Sequence, residues 1–519
     1  MKNVNGLSDF VPRPGHGKAG KKIFLMSNHF PVEFNPDLAI YHYDVAIECL
    51  PQPLKIVAAG DNSKLYRKLS YQINRRIINT IVRENSSFGK MFHNVKPVYD
   101  GNKNLFTVRP LTELMAAESG KPKRITVEVL DANDVETQFV VSIKFTGNVI
   151  SLNTLTLYFE NKSKTFPFAA IQALDIVLRQ GPSMTKISNG HSFFEKEEFD
   201  QYRHSLGGGK QLSFGFFQSL RLFSGGAQLV VDRSSNVFYQ KSSLEDLINK
   251  IFAIKDGCSV MNSPKWTDSE RKRIQKEIKG LQIEVTHLQY KRKYRIQGLS
   301  RESANEITFE WYKQSLGGRK TFRGRVTVAK YFAEQYQKLK YPQLPCVTVS
   351  VGQRQIHFPI EVCVLVANQN VDRKKLSTYQ VAQLIRICSF TEPKERFELV
   401  QEATKDITQN KEGMAYLNEF GISVGTSPIR FYGRVLNAPV LLEKNGKQCI
   451  PRNGKWRINQ FFAGAQLKRW IVVNIASIED NVVANTLNIL LKRAAQIGME
   501  VFEPICKVKL VWQKGTLKV

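Results

Sequence analysis

Apolar and polar residues alternate along Leu38-Ala-Ile-Tyr-His-Tyr-Asp-Val-Ala-Ile47, the period of a strand with one buried face. The period then changes. Leu65, Leu69, Ile73, Ile77 and Ile81 recur at helical spacing, with Asp61, Asn62 or Ser63 as the predicted N-cap. Lys68, Arg75, Arg76 and Arg83 fall on the opposite face, where solvation and a phosphate-facing role explain them equally well. Further patterns predict strands at 125–130 and 139–145, a short helix at 169–178, a turn at Leu206-Gly-Gly-Gly209 and a helix at 243–253. Strands dominate from 281 to 366, at 281–286, 325–328, 347–351 and 358–366, with one helix at 329–339. Segments 373–388 and 394–406 have helical spacing, and a strand at 470–475 with a helix at 482–497 opens a βα unit. No internal repeat exists, which excludes solenoids and propellers.

Composition changes this picture in three ways. A chain of 519 residues exceeds one ordinary domain, and at roughly 100–200 residues per domain it holds about three to five. With 42% hydrophobic and 23% charged residues it can bury cores, unlike a disordered tail or a collagen-like fibre. No apolar run is long enough for a transmembrane helix, and the stretch at 23–26 is too short for a signal peptide. The balance of 75 Lys+Arg against 46 Asp+Glu gives a net charge of +29. Such a surplus suits a polyanionic partner: nucleic acid first, an anionic membrane surface second, with bare solubility as the bland explanation. Seven cysteines, at 49, 258, 346, 363, 388, 449 and 506, contain no CxxC pair. They are expected as reduced thiols in the cores of an intracellular protein, not as a disulfide frame or a zinc site.

Enzyme motifs are weak. Gly421-Ile-Ser-Val-Gly425 fits GxSxG by letter, but Ser423 lies in an apolar, strand-like stretch broken just afterwards by Pro428. Gly207-Gly-Gly-Lys210 is followed by Gln211, where a phosphate loop needs Ser or Thr to hold magnesium. Asp175, Glu361 and Asp372 form no metal-binding spacing and are expected in structural or surface roles. No catalytic residue, metal or cofactor is predicted.

The richest window runs from 287 to 341. Thr286-His-Leu-Gln-Tyr-Lys-Arg-Lys-Tyr-Arg295 interleaves cations with rings, and Phe309, Trp311, Tyr312, Tyr331 and Tyr336 follow. Cations meet phosphates and flat rings stack on unpaired bases, so this mixture suits RNA or another single strand, without by itself naming an end or a length. The competing explanation is a core. Phe332 and Leu339 are expected as packing residues, and Tyr331 and Tyr336, five apart, need not share their face.

Several motifs in order resemble the eukaryotic Argonaute family. His287 with Lys291-Arg-Lys-Tyr-Arg295, Val328-Ala-Lys-Tyr-Phe332, Tyr341-Pro-Gln-Leu-Pro-Cys346 and Phe358-Pro-Ile-Glu-Val-Cys363 are similar to its PAZ domain. Ala39-Ile-Tyr-His-Tyr43 and the stretch 96–107 resemble its N domain; Ala173-Leu-Asp175, Ser192-Phe-Phe194 and Phe214-Gly-Phe216 resemble its first linker. Glu419-Phe-Gly-Ile422 and Gly433-Arg-Val-Leu436, with Trp456 and Phe461, resemble the second. The resemblance implies a multi-domain α+β chain of the small-interfering-RNA type, with an insect source as one option. Its domains would be a flexible basic tail (1–26), an N domain (27–150), a first linker (151–232), PAZ (233–366), a second linker (367–464) and a truncated start of MID (465–519), with PIWI absent. PAZ is then an OB-like β-barrel with an inserted hairpin–helix module, the N domain and linkers are mixed α/β, and the C-terminal segment is a truncated Rossmann-like βα start.

The same resemblance assigns roles. His287, Tyr331 and Tyr336 bind the phosphate between the last two nucleotides of a small guide RNA. Arg292 and Tyr294 contact the backbone near that 3′ end, Phe309 supports the terminal nucleotide, and Arg354 adds a basic group. Ile385 lies on a helix that presses into the guide strand near its seed. The implied partners are guide and target RNA, Dicer and loading-complex proteins, and chaperones, in the cytoplasm and away from membranes. The resemblance fades after Cys506, before the 5′-phosphate pocket and the slicer carboxylates of the family plan. The expectation is therefore RNA binding in gene silencing without nuclease activity, from a fragment, an incomplete gene model or a shortened isoform whose residues 465–519 are poorly ordered. The alternatives are a Dicer-like ribonuclease fragment, or a short form that sequesters RNA or protein partners.

Overall fold

The structure, a computed structural model, describes residues 15, 17–49, 69–83, 89–115, 122–130, 136–223, 225–252, 260–288, 292–314, 320–351, 354–389, 392–475, 478–509, 511–513 and 516–518. Two compact units are present, one of residues 26–429 and one of 430–519 with the described part of 11–25.

Strand β1 (Lys21–Met26) and β2 (His29–Phe34) precede β3 (Ala39–Cys49), the strand that the alternation at 38–47 predicts. Helix α1 (Tyr71–Arg83) buries Ile77, Ile78 and Ile81. The N-cap candidates Asp61, Asn62 and Ser63, with Leu65 and Lys68, lie outside the described residues. Arg75 departs from the outward face expected of it. Its Nη2 donates to the Asp100 carbonyl at 3.1 Å, and burial, with Arg179 nearby, lowers its pKa to about 10. Beyond α1 come β4 (Val98–Tyr99), β5 (Asn104–Thr107), the single turn α2 (Thr112–Met115), β6 (Lys123–Leu130) and β7 (Glu136–Ser151). The antiparallel sheet runs β4-β5-β3-β7-β6 over a core that includes Tyr43, Leu105, Phe139 and Val141.

Helices α3 (Asn153–Phe159) and α4 (Phe168–Thr185) lead into β8 (Ile187–Asn189), β9 (Ser192–Phe194) and β10 (His204–Gly207). The hairpin of β11 (Lys210–Phe223) and β12 (Gly226–Tyr239) follows. Sequence pattern predicts no strand in these two segments, because Ser, Gly and Arg interrupt the alternation. Long-range pairing supplies what the pattern lacks, since the two strands bond along their whole length.

Beyond them stand α5 (Leu244–Phe252) and α6 (Asp268–Ile278). Apolar spacing does not reveal α6; its signal is a capping box, in which Thr267 and Glu270 satisfy each other's backbone N–H. Next come β13 (Gln282–Val285), β14 (Lys293–Ser303), the hairpin β15 (Thr308–Gln314) and β16 (Lys320–Thr327), α7 (Val328–Gln335), β17 (Pro345–Val351), β18 (Arg354–Phe358) and β19 (Cys363–Leu365). The curled sheet runs β18-β17-β14-β13-β19, and the β15–β16 hairpin with α7 is inserted between β14 and β17. Two expectations need correction. The helix placed at 329–339 stops at Gln335, and a 3-10 turn over Ile360–Val362, entered from Pro359, breaks the strand placed at 358–366.

Helix α8 (Thr378–Ser389) begins later than the expected 373. Asp372 caps a separate 3-10 turn at Arg373–Lys375, and the Ser377 hydroxyl accepts the Gln380 N–H to start anew. Helices α9 (Pro393–Gln409) and α10 (Lys411–Glu419) precede β20 (Ile422–Val424). Strand β20 returns to the sheet of β11 and β12, whose order is β20-β2-β12-β11-β9-β8, with β10 beside β11. Ser423 of the GxSxG letters therefore sits within a paired strand, its hydroxyl bonded to Glu33 at 3.2 Å, and forms no nucleophile elbow.

In the second unit β1 pairs with β21 (Arg430–Val435), and β22 (Leu441–Leu442) pairs with β23 (Gln448–Cys449). Then β24 (Gln466–Leu467), β25 (Val472–Asn474), α11 (Asp480–Gln496), β26 (Glu500–Val501) and β27 (Lys507–Lys509) make two parallel pairs, β24 with β26 and β25 with β27. The strand expected at 470–475 narrows to three residues, with Ile471 and Ile475 exposed beside it. No helix among the described residues is long and apolar enough to cross a membrane.

Candidate nucleic-acid interface

The basic and aromatic window folds into one wall of rings between the curled sheet and its insertion. Thr327 ends β16 and caps α7, its hydroxyl accepting the Lys330 N–H at 3.2 Å. Val328 and Phe332, four apart, then face the core and are buried. Tyr331 rides beside them. Its ring meets Phe309 at 5.2 Å and Trp311 at 5.7 Å, both edge-to-face, and Phe309 and Trp311 share one face of β15 because a strand has a period of two.

Tyr336 joins this wall because the helix fails. Its backbone leaves helical space, with φ −134° and ψ −92°, and the ring swings to 6.0 Å from Tyr331 and 5.4 Å from Phe332. Burial, then the hydrogen bond with Tyr336, pushes the Tyr331 phenol up to about 12, so it keeps its proton at physiological pH. Tyr336 remains 42% exposed, which leaves this edge of the wall open to a ligand.

His287 closes the cluster from the end of β13. The Thr286 N–H donates to the Val362 carbonyl at 2.9 Å, which fixes the chain where the imidazole enters. The His287 ring lies 4.9 Å from both Phe332 and Tyr336 and 5.7 Å from Phe358. Burial lowers its pKa, so the ring is neutral at pH 7. Nδ1 is buried without a partner, and a buried N–H with no acceptor is costly; the proton therefore belongs on Nε2.

The cationic side is less uniform. Arg292 sits over the Tyr294 ring at 5.2 Å, while Tyr294 is only 8% exposed and packs on Phe358 at 4.9 Å. Tyr294 thus supports the guanidinium from below more than it presents itself at the surface. Arg354 is exposed at the far end of the β17–β18 hairpin, on the same strand face as Phe358 but about 13 Å along it. Ile385 lies apart from the cluster, on α8, with 58% of its surface exposed.

The structure therefore gathers His287, Phe309, Tyr331 and Tyr336, with Arg292 on Tyr294 at the side, and leaves Arg354 and Ile385 outside. Trp311, Phe332 and Phe358 complete the wall. Trp311 was legible as the period-two partner of Phe309; Phe358 had no such signal, because only folding brings it to His287. A depression of about 430 Å³ on the same sheet is lined by Gln275, Arg301, Glu302, Thr348 and His357 and gathers no stacked rings. No group of metal-ligating side chains occurs among the described residues, and Cys346, Cys363, Cys388, Cys449 and Cys506 are free thiols.

Neutral donors set among rings do different work from a bed of lysines. A lysine cluster holds phosphate anywhere along a strand, whereas hydroxyls and an imidazole fixed by aromatic packing favour one phosphate in one orientation. Each edge-to-face pair adds about 0.5–1.5 kcal/mol to that rigidity.

Comparison with known proteins matches three consecutive parts of the chain to family models: the N-terminal domain of argonaute over residues 21–178, the Argonaute linker 1 domain over 188–240 and the PAZ domain over 256–385. Among solved structures, Kluyveromyces polysporus Argonaute with a guide RNA is 16% identical with a TM-score of 0.56, covering 99% of this chain and 59% of that one. Drosophila Piwi is 15% identical with a TM-score of 0.40, over 95% of this chain and 55% of that one. The Drosophila Ago-PAZ domain in complex with 3′-end 2′-O-methylated RNA is 27% identical over 24% of this chain and 99% of its own, with a TM-score of 0.19. The chain spans a little over half the length of the first two.

Proposed function

From a chain that belongs to the Argonaute family and carries its N-terminal, first-linker and PAZ domains, we propose a protein that holds the 3′ end of a small guide RNA in RNA-directed gene silencing. The observation that carries this reading is the wall formed by His287, Phe309, Tyr331 and Tyr336 within the PAZ match. In this reading His287, Tyr331 and Tyr336 donate hydrogen bonds to the last internucleotide phosphate. Arg292, steadied by Tyr294, meets the backbone beside it, and Phe309 supports the terminal nucleotide.

The curled sheet is then the OB-like barrel of a PAZ domain, and β15, β16 and α7 are its inserted module. Arg354 meets the strand as it enters the cleft. Exposed Ile385 presses on the guide from the second linker, and the parallel pairs around α11 open a Rossmann-like MID domain. Target RNA, Dicer-type and chaperone loading partners, and a cytoplasmic setting belong to the same proposal. No nuclease step is assigned to these residues.

The test is direct. A short RNA duplex with a free 3′-hydroxyl overhang is titrated by fluorescence anisotropy against the wild-type chain and a Tyr331→Ala/Arg292→Ala variant. A loss of about tenfold or more is expected. Equal affinity of the two proteins would sink the assignment.

A further inference from the structure

One carboxylate holds the segment that leaves α7. Beyond Tyr336 the chain buries Leu339 and reaches Lys340 and Tyr341, whose consecutive backbone N–H groups both donate to Glu361. Lys340 N lies 3.0 Å from Oε1 and 2.9 Å from Oε2, and Tyr341 N lies 3.1 Å from Oε2. Glu361 stands in the 3-10 turn between β18 and β19, so it is carried by the same sheet as Phe358. A second carboxylate, Glu245 on α5, accepts the Tyr341 hydroxyl at 2.7 Å and faces Lys340 Nζ at 3.5 Å.

The following residues pass this anchoring to the other end of the helix. The Pro342 and Leu344 carbonyls accept the N–H groups of Asn305 and Ala304. The Ala304 and Ile307 carbonyls in turn accept those of Ala329 and Val328, which open α7. Segment 340–344 therefore holds α7 twice, by covalent continuity at its exit and through 304–307 at its start. Phe309 rides on the strand that leaves 304–307, and Tyr331 and Tyr336 ride on the helix and its exit. Segments 304–307 and 340–344 continue covalently from β14 and into β17, and Glu361 adds a hydrogen-bonded tie to the far side of the sheet, at the turn before β19. An ionised acceptor makes shorter and stronger hydrogen bonds than a neutral one.

We propose that Glu361 is a positioning residue for the RNA 3′-end pocket, setting the spacing of Tyr331, Tyr336 and His287 without touching RNA. The proposal rests on the guide-end reading above. It predicts that loosening Glu361 blurs the choice between RNA ends.

Glu361→Gln tests it in the full chain. The variant keeps the shape but replaces one acceptor with a donor that faces a backbone N–H. Affinity is measured for a short RNA duplex with a 3′-hydroxyl overhang and for the same duplex ending in a 3′-phosphate. The wild type prefers the hydroxyl end. In Glu361→Gln the hydroxyl-end affinity falls about tenfold and the ratio between the two ends moves towards one. Equal losses for both ends, with the ratio intact, mean a general weakening of the fold and overturn the proposal, as does an unchanged ratio with unchanged affinity. Tyr341→Phe, which removes the hydroxyl's bond to Glu245 and leaves the backbone bonds to Glu361 in place, should lower the ratio in the same direction by less. It decides the matter alone if Glu361→Gln does not fold, an unchanged ratio counting against. A wild type indifferent to the end overturns the guide-end reading and this proposal together, whereas a selective wild type with an equally selective variant overturns this one alone.

Discussion

The rings of Tyr331 and Tyr336 meet edge-to-face with their centroids 6.0 Å apart, although five residues separate them at the end of one helix. Continued helix would turn Tyr336 about 500° from Tyr331 and carry it off to another side. The break after Gln335 brings it back. A pair made by helix termination depends on the residues that enforce the stop, and its hydroxyls can be removed without disturbing its packing.

Tyr331→Phe should therefore keep the aromatic wall and lose a donor. Thermal stability is expected to stay within about 1 kcal/mol of wild type, because one hydrogen bond contributes no more on average. Affinity for a 3′-hydroxyl overhang should fall about three- to tenfold. Calorimetry and anisotropy on the same preparation check both halves.

His287 makes acid a test of the pocket. Burial lowers its pKa below the ordinary 6.5, as it does for His29 and His357. The folded rings then bind protons less readily than the unfolded ones. Their contribution to stability is complete above pH 6.5 and is lost as the pH falls through the lower folded values. Urea denaturation should show a lower midpoint at about pH 5 than at about pH 7.5, and His287→Asn should flatten part of that slope. A midpoint that rises on acidification would contradict the neutral buried ring.

Lys210, the lysine of the Gly-Gly-Gly-Lys turn, serves structure. Its Nζ lies 3.0 Å from Glu277 and donates to the Lys375 carbonyl at 2.6 Å, while Tyr239 donates to the same carboxylate at 2.7 Å. Lys210→Met should cost about 1–3 kcal/mol in chemical denaturation, because the partly buried Glu277 carboxylate loses its direct ion-pair partner. Adding Glu277→Met should recover most of that loss. If the single variant is as stable as wild type, the network is not the joint it looks like.

Gly181 of α4 and Gly413 of α10 cross with no room for a methyl group. A Cβ on Gly181 would meet Gly413 Cα at 2.8 Å, whereas one on Gly413 would meet Gly181 Cα at 3.3 Å. Gly181→Ala should lower stability by about 1–3 kcal/mol and Gly413→Ala by less. The order of the two melting temperatures is the measurement, and the reverse order refutes the crossing.

Part of this was legible in the chain and part was not. Alternation exposed β3, β6 and β7, and helical spacing exposed α1, α8 and α9, because each of these turns one apolar side to a core. The hairpin β11–β12 escaped, since its strands owe their pairing to each other and their sequence is broken by Ser, Gly and Arg. Helix α6 escaped for the opposite reason: few of its residues are buried, and only its capping box marks it. Arg75, which shares the polar face of α1 with Arg76, turned inward because the Asp100 carbonyl lies within reach.

The sequence by itself determined that this protein is strongly basic, that its rings and cations concentrate between 287 and 341, and which family its motifs resemble. Those are local properties, carried by residue type and order. Tertiary structure decided which rings meet. Phe358 comes to His287 across the sheet, Tyr336 returns to Tyr331 when α7 stops, and Glu361 reaches back 21 residues to Lys340 and 20 to Tyr341. Periodicity reports that a side chain faces inward; it carries no information about which other inward-facing group it will touch, because that depends on how separate elements pack.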